Sequence, residues 1–305
     1  MRNLAAVTVL AVALALAGCD GDAHEADPPP ATEAAAEPEA PLETTPSPST
    51  PPASVSMSWQ AAGAFVWHET DISPEALGVE LREAGFGWVA LRVHDGLTED
   101  PVDGDWIGRF RRASGLPVGG WGVLREHPAL EAALASELLA RHSLDFYVAN
   151  AEAEYGFTGP DGLSEERFGR SRAFVDAFRR QQADLPAGLS SYCRPDLHDL
   201  DWEAWRDGGF VFLPQAYVND FGYHAAPAAC AEGAASVFGS AVHPTIGSYE
   251  GVRASVRPER YARLLDRAGT LGFSVYLAET GMTGDEWRVL GESIGAGGIA
   301  LAPAP

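Results

Sequence analysis

From residue 56 onward, short apolar runs alternate with longer stretches in which apolar residues recur every three to four positions. This is the pattern of strands followed by amphipathic helices. Eight such units can be counted. Strands are expected at 62–68, 88–94, 117–124, 145–155, 187–194, 210–219, 242–249 and 273–280. Helices are expected at 74–84, 105–114, 128–142, 165–183, 201–206, 226–237, 258–271 and 284–294. Ser73 stands where the first helix needs an N-cap. Gly85, Gly115, Gly209 and Gly272 stand where helices stop, the place of a C′ glycine. Eight βα units in the 250 residues 56–305 have the size and rhythm of a single (β/α)8 barrel, an α/β fold.

The first 55 residues follow another pattern. Arg2 precedes an apolar run that ends in Leu16-Ala17-Gly18-Cys19. A positive start, a short apolar stretch and small residues at the cut describe a secretory signal. The cysteine makes the segment resemble a bacterial lipobox, which implies that Cys19 is diacylated and becomes the first residue; two acyl chains suffice for a stable anchor. The competing reading is an ordinary signal peptide with a chance cysteine. Residues 20–55 hold eight acidic residues and no arginine among dense Pro, Ala, Ser and Thr. Such a segment buries too little apolar surface to offset ordering and stays extended. The expected organisation is a signal peptide at 1–18, a lipidated Cys19 with a disordered linker at 19–55, and the barrel at 56–305. The expected location is the extracytoplasmic face of a bacterial membrane.

Charge narrows the partners. The chain carries 21 basic and 43 acidic residues, a net −22, and all its cations are arginines. Without a basic block it cannot neutralise phosphates, so neither nucleic acid nor a polybasic grip on anionic lipid is expected. Apolar residues make up 46% of the chain and include eight Trp, which is ample for a core. The cysteines other than Cys19 are Cys193 and Cys230. In an oxidising compartment they are expected to form a disulfide, the alternative being two buried thiols. A monomer is expected.

The candidate chemistry lies in polar columns where a barrel interior is usually branched and apolar. Alternation places every second residue of a strand on one side. The fourth strand ends Asn150-Ala151-Glu152-Ala153-Glu154-Tyr155, so Asn150, Glu152 and Glu154 are expected to point inward. The competing reading is an exposed helical run. The second strand offers Arg92 and His94, the fifth Ser190, Tyr192 and Arg194, and the sixth Gln215, Tyr217 and Asn219. For Arg92, a structural pairing with one of the glutamates is as good a reading as ligand contact. Asp71, Asp95, Glu250 and Glu279 lie near other strand ends, although Glu279 shares the parity of Phe273 and Val275, which look helix-facing. Trp67, Trp121, Tyr192, Tyr217 and Tyr249 offer flat faces for sugar rings.

Several chemistries lack their motifs: no His-x-His or His-Glu-x-x-His for zinc, no Gly-x-Ser-x-Gly elbow, no phosphate-cradling glycine loop. No metal and no organic cofactor are expected. Paired carboxylates among aromatics and amides suit glycoside hydrolysis.

The layout resembles lysozyme-type glycoside hydrolases of family 25 and, more distantly, family 18. The motifs are Asp71-Ile72-Ser73, Gly85-Phe86-Gly87-Trp88-Val89-Ala90-Leu91-Arg92 and Gly115-Leu116-Pro117-Val118-Gly119-Gly120. The family's Asp-x-Glu would fall on Glu152-Ala153-Glu154, with Glu where Asp is the rule. The resemblance implies Glu154 as general acid and Glu152 as the group that orients a 2-acetamido substituent or stabilises positive charge. Asp71, Arg92, His94, Trp121, Asn150, Tyr192, Gln215, Tyr217, Asn219 and Glu279 are the expected sugar contacts. The expected function is a membrane-anchored glycosidase acting on a cell-wall or extracellular polysaccharide such as peptidoglycan. The alternatives are a sugar-binding lipoprotein without turnover and a structural envelope lipoprotein.

Overall fold

A computed structural model describes residues 56–66, 72–156, 165–195, 198–217, 227–247 and 271–276. Its frame is a closed parallel barrel. In chain order the strands are β1 (Gly63–Val66), β2 (Trp88–Asp95), β3 (Thr98–Glu99), β4 (Val118–Val123), β5 (Tyr147–Asn150), β6 (Ala187–Tyr192), β7 (Val211–Ala216), β8 (Thr245–Gly247) and β9 (Ser274–Tyr276). The eight strands other than β3 pair in parallel, and β1 closes the ring by pairing with both β2 and β9. The helices are α1 (Pro74–Glu83), α2 (Gly104–Ser114), α3 (Pro128–Arg141), α4 (Ala153–Gly156), α5 (Glu165–Gln181), α6 (Trp202–Asp207) and α7 (Pro227–Phe238). The (β/α)8 architecture is thus the one the periodicity predicts. The last two expected helices and the first 55 residues lie outside the described residues.

Local chemistry accounts for the element ends. The Ser73 side chain accepts from the Ala76 N–H and caps α1, whose first residue is Pro74. Gly85, Gly115 and Gly209 take positive φ of 84°, 69° and 72° at helix ends. Gly272 serves another purpose: a Cβ there would lie within 3.1 Å of the backbone oxygens of Trp59, Gln60 and Ala61. It permits close approach of two chain segments.

Two apolar layers result from strand alternation. Val89, Leu91 and Val93 of β2 join Leu77, Phe110, Leu138 and Phe174 of the helices in the outer core. Trp88, Ala90, Phe65, Trp121, Phe146, Val148 and Leu213 form a separate cluster that contains no helix residue, the barrel lumen. The lumen floor is crowded. A Cβ at Gly63 would stand 1.9 Å from the Trp88 ring, so only glycine leaves room for that indole.

Two strands depart from the expected alternation. The first is β2, whose register against β4 slips between Arg92 and His94: Arg92 faces Trp121 and His94 already faces Gly122. This bulge turns His94 to the same outer side as Val93. His94 is therefore not a sugar contact. It is fully buried, with Nδ1 2.9 Å from the Gly96 carbonyl and Nε2 2.7 Å from the Tyr147 hydroxyl. The second is β5, which stops at Asn150 instead of continuing to Tyr155. Ala and Glu are strong helix formers and weak strand formers, and the Ala-Glu-Ala-Glu string turns into α4 once it leaves the ladder.

Candidate active site

The strand C-terminal ends meet around a cavity of about 80 Å³. Phe65, Trp121, Tyr217 and Tyr276 give it aromatic walls, and Asn150, Glu152, Ser190, Gln215 and Thr245 give it polar atoms. Tyr217 and Tyr276 stack with ring centroids 5.7 Å apart, and Tyr276 meets Trp121 edge-on at 5.9 Å. A larger cleft of about 610 Å³ opens at the opposite end of the barrel, where Leu185, Pro186 and Gly209 precede β6 and β7. Barrels carry their chemistry at the strand C-terminal face, so the smaller cavity is the candidate site. In the larger cleft Arg179 is committed to the Gly208 and Leu185 carbonyls at 2.7 and 2.8 Å.

Glu152 is the acidic residue lining the cavity among the described residues. Its Oε1 accepts from Gln215 Nε2 at 2.6 Å and from Asn150 Nδ2 at 3.2 Å. Gln215 also donates to Asn150 Oδ1 at 3.0 Å. Two neutral amides thus hold one oxygen of the carboxylate, and both bonds fall on the same atom. The backbone around it is tied down: Ala151 donates to the Ser190 carbonyl at 3.0 Å, and Ser191 Oγ donates to the Ala151 carbonyl at 2.5 Å.

Glu154 does not share this place. On α4 it leaves the strand alternation, and its carboxylate meets Arg125 Nη1 at 2.8 Å. Arg125 also grips Asp95 through Nε at 2.6 Å and Nη2 at 3.0 Å. That guanidinium, placed against the Asp95 carboxylate, holds Asp95 below its usual range in spite of partial burial. The expected inward column of three therefore reduces to Asn150 and Glu152.

The other expected contacts divide. Trp121, Gln215 and Tyr217 line the cavity. Tyr192 is not among the residues lining the cavity and stacks on His198 at 4.2 Å. Burial, and after it the charges of Glu152 and Glu154, push the Tyr192 hydroxyl up to about 12. Arg92 pairs with Asp95 and Asp100, each at 2.9 Å, and its guanidinium lies 5.8 Å from the Trp121 ring centroid. These partners are aspartates of the β2 strand end and the segment after β3, and no ion pair joins Arg92 to Glu152 or Glu154 among the described residues. Asp71, Asn219 and Glu279 lie outside the described residues, as do Trp67, Tyr249 and Glu250. No group of three or more His, Cys, Asp or Glu suited to a metal ion occurs among the described residues.

One residue of the cavity, Tyr276, and one buried acid outside its lining, Glu131, escape the sequence reading. Tyr276 was legible in principle, since the parity that turns Phe273 and Val275 to the helices leaves Tyr276 inward. Glu131 is the subtler one. Fully buried, it accepts from the Arg125 and His127 amides at 2.9 and 3.1 Å and from the Tyr155 hydroxyl at 2.8 Å. Its only signal is an acid in the first turn of a helix that Pro128 begins.

Cys193, just after β6, is joined by a disulfide to Cys230 in α7, with Cα atoms 4.8 Å apart. These are the two cysteines expected to pair.

No protein-family model matches the chain, and no curated protein matches it in sequence. Solved structures do match in fold. A class V chitinase from Nicotiana tobaccum superposes with a TM-score of 0.58 at 9% identity, over 77% of this chain and 99% of that one. A mutant family 18 chitinase from Cycas revoluta, in complex with (GlcNAc)4, gives 0.56 at 8% identity over 76% and 99%. A chitinase-like agglutinin from Robinia pseudoacacia gives 0.55 at 7% identity over 76% and 98%. The shared feature is the (β/α)8 barrel. Of these neighbours the Cycas enzyme is a family 18 chitinase by its description and none is described as a family 25 enzyme, and at such identity the likeness is one of fold.

Proposed function

We propose that this chain is a glycan-acting barrel held at the outer face of a membrane, with Glu152 as its proton donor. One observation carries the reading: a carboxylate fixed by amides at the strand C-terminal end, inside an aromatic-walled cavity. Aromatic faces pack on sugar rings, while Glu152 Oε2 is left to protonate a leaving glycosidic oxygen. The second group that glycosidases need can belong to the substrate. A 2-acetamido sugar carries its own carbonyl oxygen beside the charged centre, and substrate assistance of this kind dispenses with a second carboxylate. The Cycas chitinase holds (GlcNAc)4, which makes N-acetylated oligosaccharides the first substrates to try.

Binding without turnover is the second reading. It is favoured by the pair of amides fastened to Glu152 Oε1, where a retaining or inverting enzyme would keep a second acid. Purified protein incubated with chitin and peptidoglycan oligosaccharides separates the two. Turnover is expected, and Glu152→Gln should lower it by at least about 100-fold, since a general acid contributes about 10²–10⁴ in rate. Binding by both proteins with cleavage by neither would establish the lectin-like reading.

The lipobox-like Leu16-Ala17-Gly18-Cys19 supports the tether, and the Cys193–Cys230 bridge supports an oxidising compartment. Cys19→Ala is expected to move the protein from the membrane pellet to the soluble fraction. Retention in the pellet would remove the anchor from the proposal.

A further inference from the structure

We infer that Glu154 is a positioning residue, paired with Arg125 to brace the turn that carries Glu152 into the cavity. The inference rests on the reading of Glu152 as proton donor. The helix α4 has only four residues, and a single turn is too short to hold itself. Its geometry must come from outside, and the ties are on three sides. Arg125 Nη1 holds the Glu154 carboxylate at 2.8 Å. Arg170 Nη1, from α5, donates to the Glu154 carbonyl at 2.6 Å. The Tyr155 hydroxyl donates to buried Glu131 at 2.8 Å.

These ties close into a ring. Glu131 grips the Arg125 backbone with one oxygen and Tyr155 with the other, while the Arg125 side chain returns to Glu154. The same guanidinium holds Asp95 at the end of β2 in a two-point contact. Arg125 therefore fastens the ends of β2, β4 and β5 together, with Glu152 at the junction between β5 and α4. The strand alternation that would have placed both glutamates inward is broken at this turn. One carboxylate enters the cavity and the other is spent outside it.

The test compares Arg125→Met, Arg125→Lys, Glu154→Gln and the Arg125→Met/Glu154→Gln double variant. On a cleaved N-acetylated oligosaccharide, each single change except Arg125→Lys should lower kcat on the order of tenfold with KM little changed, because misplacement of a reacting group is felt in rate. The double variant should lose no more than the worse single, as residues acting through one contact are not additive. Arg125→Lys, which keeps a cation but not the fork that holds Asp95 and Glu154 together, should recover only part of the loss. The limbs of the pH–rate profile should stay in place. A Glu154→Gln loss as large as that of Glu152→Gln, with the basic limb of the profile removed, would make Glu154 the donor and overturn the inference. Amide hydrogen exchange supplies the readout independent of turnover. Residues 151–156 should exchange faster in Arg125→Met and unchanged in Glu152→Gln. If the wild type cleaves nothing, the donor reading fails, yet exchange still decides the brace; unchanged exchange in Arg125→Met overturns it.

Discussion

Acidification from pH 7 to pH 4 is expected to destabilise the barrel by about 6 kcal/mol through two histidines that never touch the site. His94 and His243 are both fully buried. Burial lowers each from 6.5 to about 4, overcoming the Gly96 carbonyl and, more weakly, the Asp95 carboxylate at His94, and the Trp59 and Phe273 carbonyls at His243. The folded protein thus keeps both rings neutral while the unfolded chain binds a proton on each below pH 6.5. Stability is full above that value and is lost as the pH falls towards 4. At 1.36 kcal/mol per pH unit, each ring costs about 2 kcal/mol by pH 5 and about 3 kcal/mol by pH 4. Such a loss rivals the whole stability of many domains. Carboxylates titrate mostly below pH 5, and the Arg125 contact pushes Asp95 lower still, so the interval from 7 to 5 isolates the histidines. Urea unfolding across that interval measures the slope, to which His142, also lowered by burial, adds, and His243→Phe should reduce it by somewhat less than half. A stability that stays flat between pH 7 and pH 5 would show that the two rings are solvated or already charged in the folded state.

His94 also shows where sequence reasoning loses its grip. Periodicity identifies eight βα units because burial repeats every second residue in strands and every third or fourth in helices, and nothing tertiary is needed to see it. Trp121, Asn150, Glu152, Gln215 and Tyr217 follow from the same alternation and do meet in one cavity. The method fails where the count of residues per strand changes. One extra residue at Val93 turns His94 from the lumen to the outer core, and its signal resides in the partner strand: Gly122, where a Cβ would stand 2.0 Å from the imidazole. Glu154 fails for a different reason. Ala-Glu-Ala-Glu satisfies a strand by parity and a helix by propensity, and the choice between them is made by Arg125, Glu131 and Arg170 from other parts of the chain. Contacts of that range leave no periodic trace.

Reduction of the Cys193–Cys230 bridge is expected to cost about 4 kcal/mol, by constraint of the unfolded chain. The bridge spans a sequence separation of 37 residues, and the entropy of closing a loop of that size sets the figure. The folded state loses little directly. Both sulfurs are buried and sit in the outer core, so two free thiols would fill the same volume as small apolar groups. The enclosed segment gives the bridge its bearing on the site. It contains α6 and β7, and β7 carries Gln215 and is followed at once by Tyr217, one the amide that holds Glu152 and the other an aromatic wall of the cavity. Thermal unfolding with and without reductant should show a midpoint lower by about 10 °C in the reduced protein. The Cys193→Ala/Cys230→Ala variant should match the reduced form and no longer respond to reductant. Affinity for a responsive glycan should be nearly unaffected at low temperature, where the native state still dominates, and should fail earlier on warming. A reduced protein that melts at the oxidised midpoint would mean that the enclosed segment is already ordered in the unfolded chain or that strain in the bridge cancels its entropic gain.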